Sequence, residues 1–134
     1  IGSTAGRFGE AGHCDYSLSK AGMYGLVRTL KNEIVKLDPF GRVNMVEPGW
    51  TATPMAEDSL QDDSAIEGIA RTMPLRQIAR AEDIARAVAF FSSPLLARHL
   101  SGEVLTVAGG MEGRSLWRES EIEADAVRRR LDPD

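Results

Sequence analysis

Tyr16 and Lys20 stand four residues apart at the start of a segment with helical periodicity, which puts both side chains on one face and next to each other. A phenol ordinarily titrates near pH ~10, and a neighbouring ammonium stabilises the phenolate and brings that value down. Such a pair can serve as a general acid and base near neutrality. On spacing alone the pattern is short, and chance also produces it. Its neighbours strengthen it. Ser3 lies thirteen residues before Tyr16 at a strand end, with a glycine-rich loop between them that can fold back and bring the hydroxyl to the same substrate oxygen. Pro48-Gly49-Trp50-Thr51-Ala52-Thr53 follows the next strand at its carboxyl end, the edge at which open α/β sheets bind ligands.

Several elements must position these residues. Residues 1–12, punctuated by Gly2, Gly6, Gly9 and Gly12, read as a strand end opening into a loop. Between Asp15 and Leu37, apolar residues recur at Met23, Leu26, Val27, Leu30, Ile34 and Leu37, and Asp38-Pro39-Phe40-Gly41 stops the run, so a long helix is expected. Its stripe Met23, Leu26, Leu30, Ile34 is expected to face the sheet, leaving Tyr24, Val27 and Val35 on the other side. Residues 42–47 are β-prone and end at Pro48-Gly49. Residues 54–74 carry five acids against one base with broken periodicity and read as a mobile helical lid with a solvated acidic face. A second helix is expected over 81–91, with Glu82 and Asp83 in its first turn, and a buried strand over 103–107, closed by Gly109-Gly110. Residues 111–134 read as a charged carboxyl-terminal extension, in which Glu119, Glu121, Glu123 and Asp125 precede Arg128-Arg129-Arg130 in the order a solvated helix prefers.

Strands alternating with helices predict an α/β fold with a parallel sheet, since parallel neighbours need a crossover. About three strands are available. A doubly wound sheet normally has more, so the expectation is half of a larger domain over 1–110 followed by the extension. The absence of an initiating Met at Ile1 agrees with that expectation.

The chain has 134 residues, a formal charge of −4, 43% apolar content and one cysteine. No apolar run approaches the ~18 residues of a membrane span, and a cytoplasmic protein without membrane association is expected. Thirteen of the sixteen basic residues are Arg and are scattered, which argues against a nucleic-acid surface.

Taken together, Ser3, Tyr16-x-x-x-Lys20-Ala21-Gly22, the Val43-Asn44 strand running into Pro48-Gly49, Thr53 and the closing Gly109-Gly110 resemble the short-chain dehydrogenase/reductase family over residues 1 to about 110. The resemblance implies a Rossmann-type doubly wound sheet of which this chain holds the carboxyl-terminal, catalytic half. It implies that Ser3 bonds the substrate oxygen, that Tyr16 transfers the proton, and that Lys20 assists Tyr16 and holds the nicotinamide ribose. It further implies that Pro48, Gly49, Thr51 and Thr53 contact the nicotinamide, and that His13 and Trp50 line the substrate pocket. The cofactor is NAD or NADP; the residues that discriminate the two, the glycine-rich phosphate turn and the family's catalytic asparagine match nothing in this sequence. Ala108 stands where many members have an acid.

The substrate class implied is a small alcohol or carbonyl compound, with a homo-oligomer, dimer or tetramer, assembled through the long helix. The acidic 54–74 segment and the Asp38–Gly41 turn offer no support for an acyl-carrier-protein partner. A competing expectation is a truncated, catalytically silent fragment or self-association scaffold without the dinucleotide-binding half. Trp50 can equally plug the core. His13 beside Cys14 does not make a metal site, because three or four converging ligands are required; Cys14 is expected to be a small buried hydrophobe.

Overall fold

Ser3 begins the first helix. Its backbone is extended, and its Oγ accepts from the amide of Ala5 at 3.1 Å, capping α1 (Thr4–Phe8). The computed structural model describes residues 1–132. The elements that follow are α2 (Cys14–Glu33), β1 (Met45–Pro48), β2 (Thr51–Ala52), α3 (Glu57–Gln61), α4 (Asp63–Ala70), β3 (Ala79–Arg80), α5 (Ala81–Ser92), β4 (Val104–Val107) and α6 (Ala124–Arg129). They form two compact units, one of residues 1–48 and 85–106, the other of residues 49–84 and the chain from Val107 onward.

In the first unit β1 pairs with β4, and the amide of Met45 donates to the carbonyl of Glu103 at 2.9 Å. The amide of Gly2 donates to the Val46 carbonyl at 2.8 Å, so the chain start lies along β1 as the expected strand end, but Thr4 then turns into a helix where a loop was expected. Five residues with a glycine at their centre give too little periodicity to be read as a helix; the Ser3 cap makes it one. The β-prone run shortens at its start because Arg42, Val43 and Asn44 bond elsewhere. Arg42 Nη1 donates to the carbonyls of Phe91 and Ala97, both at 2.8 Å, and the Asn44 side chain bridges the Leu100 carbonyl and the Glu103 amide.

The faces of α2 follow the expectation only in part: Met23 and Ile34 are half-buried and Val35 is 46% exposed, as expected, but the residues between them are exchanged. Val27 is buried and Tyr24 half-buried, whereas Leu26 is 52% and Leu30 36% exposed. The inner face is chosen by what it meets: Tyr24 points to a buried polar partner on β1, and the helix rolls to bring it there.

In the second unit β2 and β3 run parallel, Thr51 opposite Ala79 and Ala52 opposite Arg80. Among the described residues the strands therefore number four, in two small sheets. Two-residue strands are too short to leave an alternating pattern. The acidic segment is helical, as expected, but it is not only a solvated lid. Ile66, Ile69 and Ala70 on α4 join Met73 and Ile78 in a core that Ile122, Ala124 and Val127 complete. The tail is thus part of this core rather than a solvated helix, and each isoleucine, valine or methionine in it contributes about 1.5–3 kcal/mol when fully buried. Arg128 fixes it in place, bonding Asp63 at 2.5 Å and Asp125 at 3.1 Å and donating from Nε to the Leu60 carbonyl. The hydrogen bond to Asp63 and its negative charge raise the Arg128 pKa further. Among the described residues no helix is long and apolar enough to cross a membrane.

Asp62 caps α4. Its Oδ1 accepts from Ser64 Oγ at 2.9 Å and from the Ser64 amide at 3.0 Å, and these bonds hold its carboxyl below the usual value. A carboxyl whose pKa is lower folded than unfolded stabilises the fold above the unfolded value and loses that contribution as pH falls through the folded one. Asp62→Ala should therefore lower the melting temperature by roughly 5 °C at neutral pH. Thermal scans from pH 7 downward should show the gap to the parent narrowing below pH ~4.

Candidate active site

α1 lies directly against α2, and Gly6 is what lets it. A Cβ on Gly6 would sit 2.6 Å from the backbone carbon of Lys20 and 2.7 Å from the amide nitrogen of Ala21, closer than atoms can approach. With no side chain between them, the helix that begins at Ser3 rests on the helix turn that carries Lys20. Lys20 Nζ donates to the carbonyl of Ile1 at 3.1 Å and stands 5.5 Å from the centroid of the Tyr16 ring, a cation–π contact. Tyr16 is 42% exposed, so its side chain is open to solvent. Ser3 is half-buried. Its Oγ accepts from Ala5, which leaves the hydroxyl proton free to donate elsewhere.

The remaining expected site residues lie as follows. Pro48 ends β1. In the second unit, Thr51 Oγ1 donates to the carbonyl of Gly49 at 3.0 Å, and Thr53 precedes the short 3-10 turn Pro54–Ala56. Gly49 packs tightly: a Cβ there would meet the Cβ of Ala108 at 2.7 Å. Trp50 is half-buried against the core of this unit. In the first unit His13 is exposed at the amino end of α2, its Nδ1 3.3 Å from the carbonyl of Ala11. Cys14, expected to be buried, is exposed at the first position of α2. Among the described residues no three His, Cys, Asp or Glu side chains converge to hold a metal ion.

One polar cluster escaped the sequence reading. Glu47, on β1, has no solvent exposure; it accepts from the Tyr24 hydroxyl and from Thr106 Oγ1 at 3.0 Å and forms an ion pair with Arg7, whose Nε lies 3.0 Å away. A lone acid directly after the β-prone run Val43–Val46 was the available signal, since acids are almost never fully buried without a partner.

With this geometry in view, a family profile described as enoyl-(acyl carrier protein) reductase matches residues 1–112. The chain is 39% identical over 111 residues to 3-oxoacyl-(acyl-carrier-protein) reductase FabG of Salmonella typhimurium, covering 83% of this chain and 43% of that protein. It is 37% identical over 109 residues to acetoacetyl-CoA reductase of Synechocystis, covering 81% and 44%. A crystal structure of a short-chain dehydrogenase/reductase, glucose/ribitol dehydrogenase, from Brucella melitensis superimposes with a TM-score of 0.72 at 31% identity, covering 83% of this chain and 43% of that one. The chain belongs to the short-chain dehydrogenase/reductase family. It spans less than half the length of these relatives.

Members of this family work with a nicotinamide dinucleotide, and the donors present here suit one end of it. An ammonium has three N–H donors; Lys20 gives one to Ile1, leaving two for a pair of neighbouring hydroxyls such as those of a ribose. In a short-chain dehydrogenase/reductase built this way, the contact at Gly6 sets the distance between the Ser3 and Lys20 segments. Gly6→Ala forces the backbones apart and should cost about 1–3 kcal/mol of stability in urea titrations. A neutral effect would mean that α1 does not rest on α2 in solution.

Proposed function

We propose that this chain carries the proton-transfer site of an NAD- or NADP-dependent oxidoreductase that interconverts an alcohol with a ketone or aldehyde. The observation that carries the proposal is the placement of Tyr16 and Lys20 on one open face of α2, with Lys20 bonded to Ile1 two residues before Ser3. Its family membership and the names of its relatives support the same reaction class.

In the direction of reduction, Ser3 donates its free hydroxyl proton in a hydrogen bond to the carbonyl oxygen and orients it. Tyr16 delivers its phenolic proton to that oxygen as negative charge develops. Lys20 stabilises the phenolate left behind, and its two remaining donors hold the ribose of the cofactor. When bound, the nicotinamide supplies the hydride to the carbonyl carbon, or accepts it in reverse. Pro48, Gly49, Thr51 and Thr53 are proposed to bind the nicotinamide end, and His13 and Trp50 to border the substrate. Leu18, Leu26 and Leu30 leave an apolar face of α2 open, which a second copy would cover in a homo-oligomer.

Acetoacetyl-CoA, for which the Synechocystis relative is named, is the carbonyl substrate to assay first, with NADH and NADPH in parallel. Tyr16→Phe should lower kcat by roughly 10²–10⁴-fold with an unchanged circular dichroism spectrum. Near-parental turnover by that variant would overturn the mechanism. Calorimetry of the chain with each dinucleotide should give measurable binding; silence with both favours the non-catalytic fragment.

A further inference from the structure

Building on that oxidoreductase reading, we propose that Glu47, through Arg7 and Tyr24, is a positioning residue that fixes Ser3 relative to Tyr16 and Lys20. A carboxylate with no solvent exposure, set between the buried Met45 and Val46 and the turn at Pro48, must have all its charge compensated internally. Glu47 has three polar partners, each from a different element: Arg7 of α1 as an ion pair, and Tyr24 of α2 and Thr106 of β4 as hydrogen-bond donors. Arg7 Nε donates to the Tyr24 oxygen at 3.3 Å, so its N–H goes to the phenol while its charge faces the carboxylate. The pair Arg7–Glu47 is neutral as a whole, and the first unit buries one charge only by bringing its opposite to it.

The two helices held in this way are the two that carry the proposed chemistry. Ser3 caps α1, one turn before Arg7. Tyr24 continues the row Tyr16, Lys20 at the same four-residue interval, so anchoring Tyr24 sets the roll of that whole face. A helix of five residues cannot hold its own shape, let alone its direction. α1 is pinned at two points, by the backbone contact of Gly6 with α2 and by Arg7 on Glu47. Stability by itself is a weak reason to bury this pair, because a well-packed apolar replacement of a buried ion pair is often neutral or stabilising. An apolar side chain at 47 could fill the space, but it could not choose which atoms of α1 and α2 meet on β1.

A double-mutant cycle between Arg7→Met and Ser3→Ala tests this, with Tyr24→Phe as a milder variant should Arg7→Met fold poorly. Arg7→Met alone should lower kcat by about 10²-fold, the scale of an ångström's misplacement, with the substrate KM within about twofold of the parent. In the Ser3→Ala background it should cost almost nothing more, since Arg7 then has no hydroxyl left to place. Fully additive losses overturn the proposal. Hydrogen exchange of the unliganded chain gives a second readout: the Gly9 amide, which closes α1 on the Ala5 carbonyl at 3.0 Å, should lose protection in Arg7→Met and Tyr24→Phe while Val27 and Ala87 keep theirs. If Ser3→Ala and Tyr16→Phe both turn over at the parental rate, the oxidoreductase reading fails instead, and unchanged protection of Gly9 would then sink the positioning role on its own.

Discussion

A carboxylate sealed from water has to collect its hydrogen-bond donors from whatever surrounds it, and in the first unit that requirement organises nearly everything else. Glu47 takes a hydrogen bond from α2, another from β4 and an ion pair from α1. The roll of α2, which buries Tyr24 and Val27 and leaves Leu26 and Leu30 to solvent, follows from the Tyr24 hydroxyl reaching that carboxylate. The seat of α1 follows from Arg7. Apolar burial would be satisfied by several rolls of α2, because leucines and valines are distributed around it; the polar contact is directional and accepts one. Hydrophobic patterning thus brings the helix to the sheet, and one buried charge decides how it lands.

This explains which parts of the fold could be read in advance. α2 and α5 were legible because each has several turns of apolar spacing and a clear stop, Asp38-Pro39 after one and Ser92-Ser93-Pro94 after the other. β1 and β4 were legible as β-prone runs ending at glycine. The orientation of α2 was not, because apolar spacing reports that a face exists without reporting which of two overlapping faces meets a polar partner 23 residues further along the chain. α1 was hidden by its five-residue length, and β2 and β3 by having two residues each. The tail was misjudged for a different reason: Ile122, Ala124 and Val127 are spread among acids and arginines, so its average looks solvated while its few apolar side chains are all inside.

The candidate site was legible as residue types and in part as geometry. Tyr16 and Lys20 lie on one face as their spacing requires, and Ser3 stands at the end of the strand-like segment along β1. The means of support was not legible. Gly6 looked like loop punctuation but is the point where two backbones touch, and Glu47 looked like a polar strand end but is the most deeply buried acid in the unit. Supporting residues of this kind carry no motif, because what they must satisfy is a neighbour far away in sequence.

The second unit has an ordering in time built into it. Ile66, Ile69 and Met73 are covered by Ile122, Ala124 and Val127, about sixty residues further along the chain. Synthesis proceeds from the amino end at about 5–20 residues per second, so this apolar stripe spends several seconds on the ribosome before its cover is made. The arginines and acids that separate the late apolar residues keep that cover soluble in the meantime. The last turn of α6 therefore completes the core of this unit, and a chain released before Val127 would leave that core open.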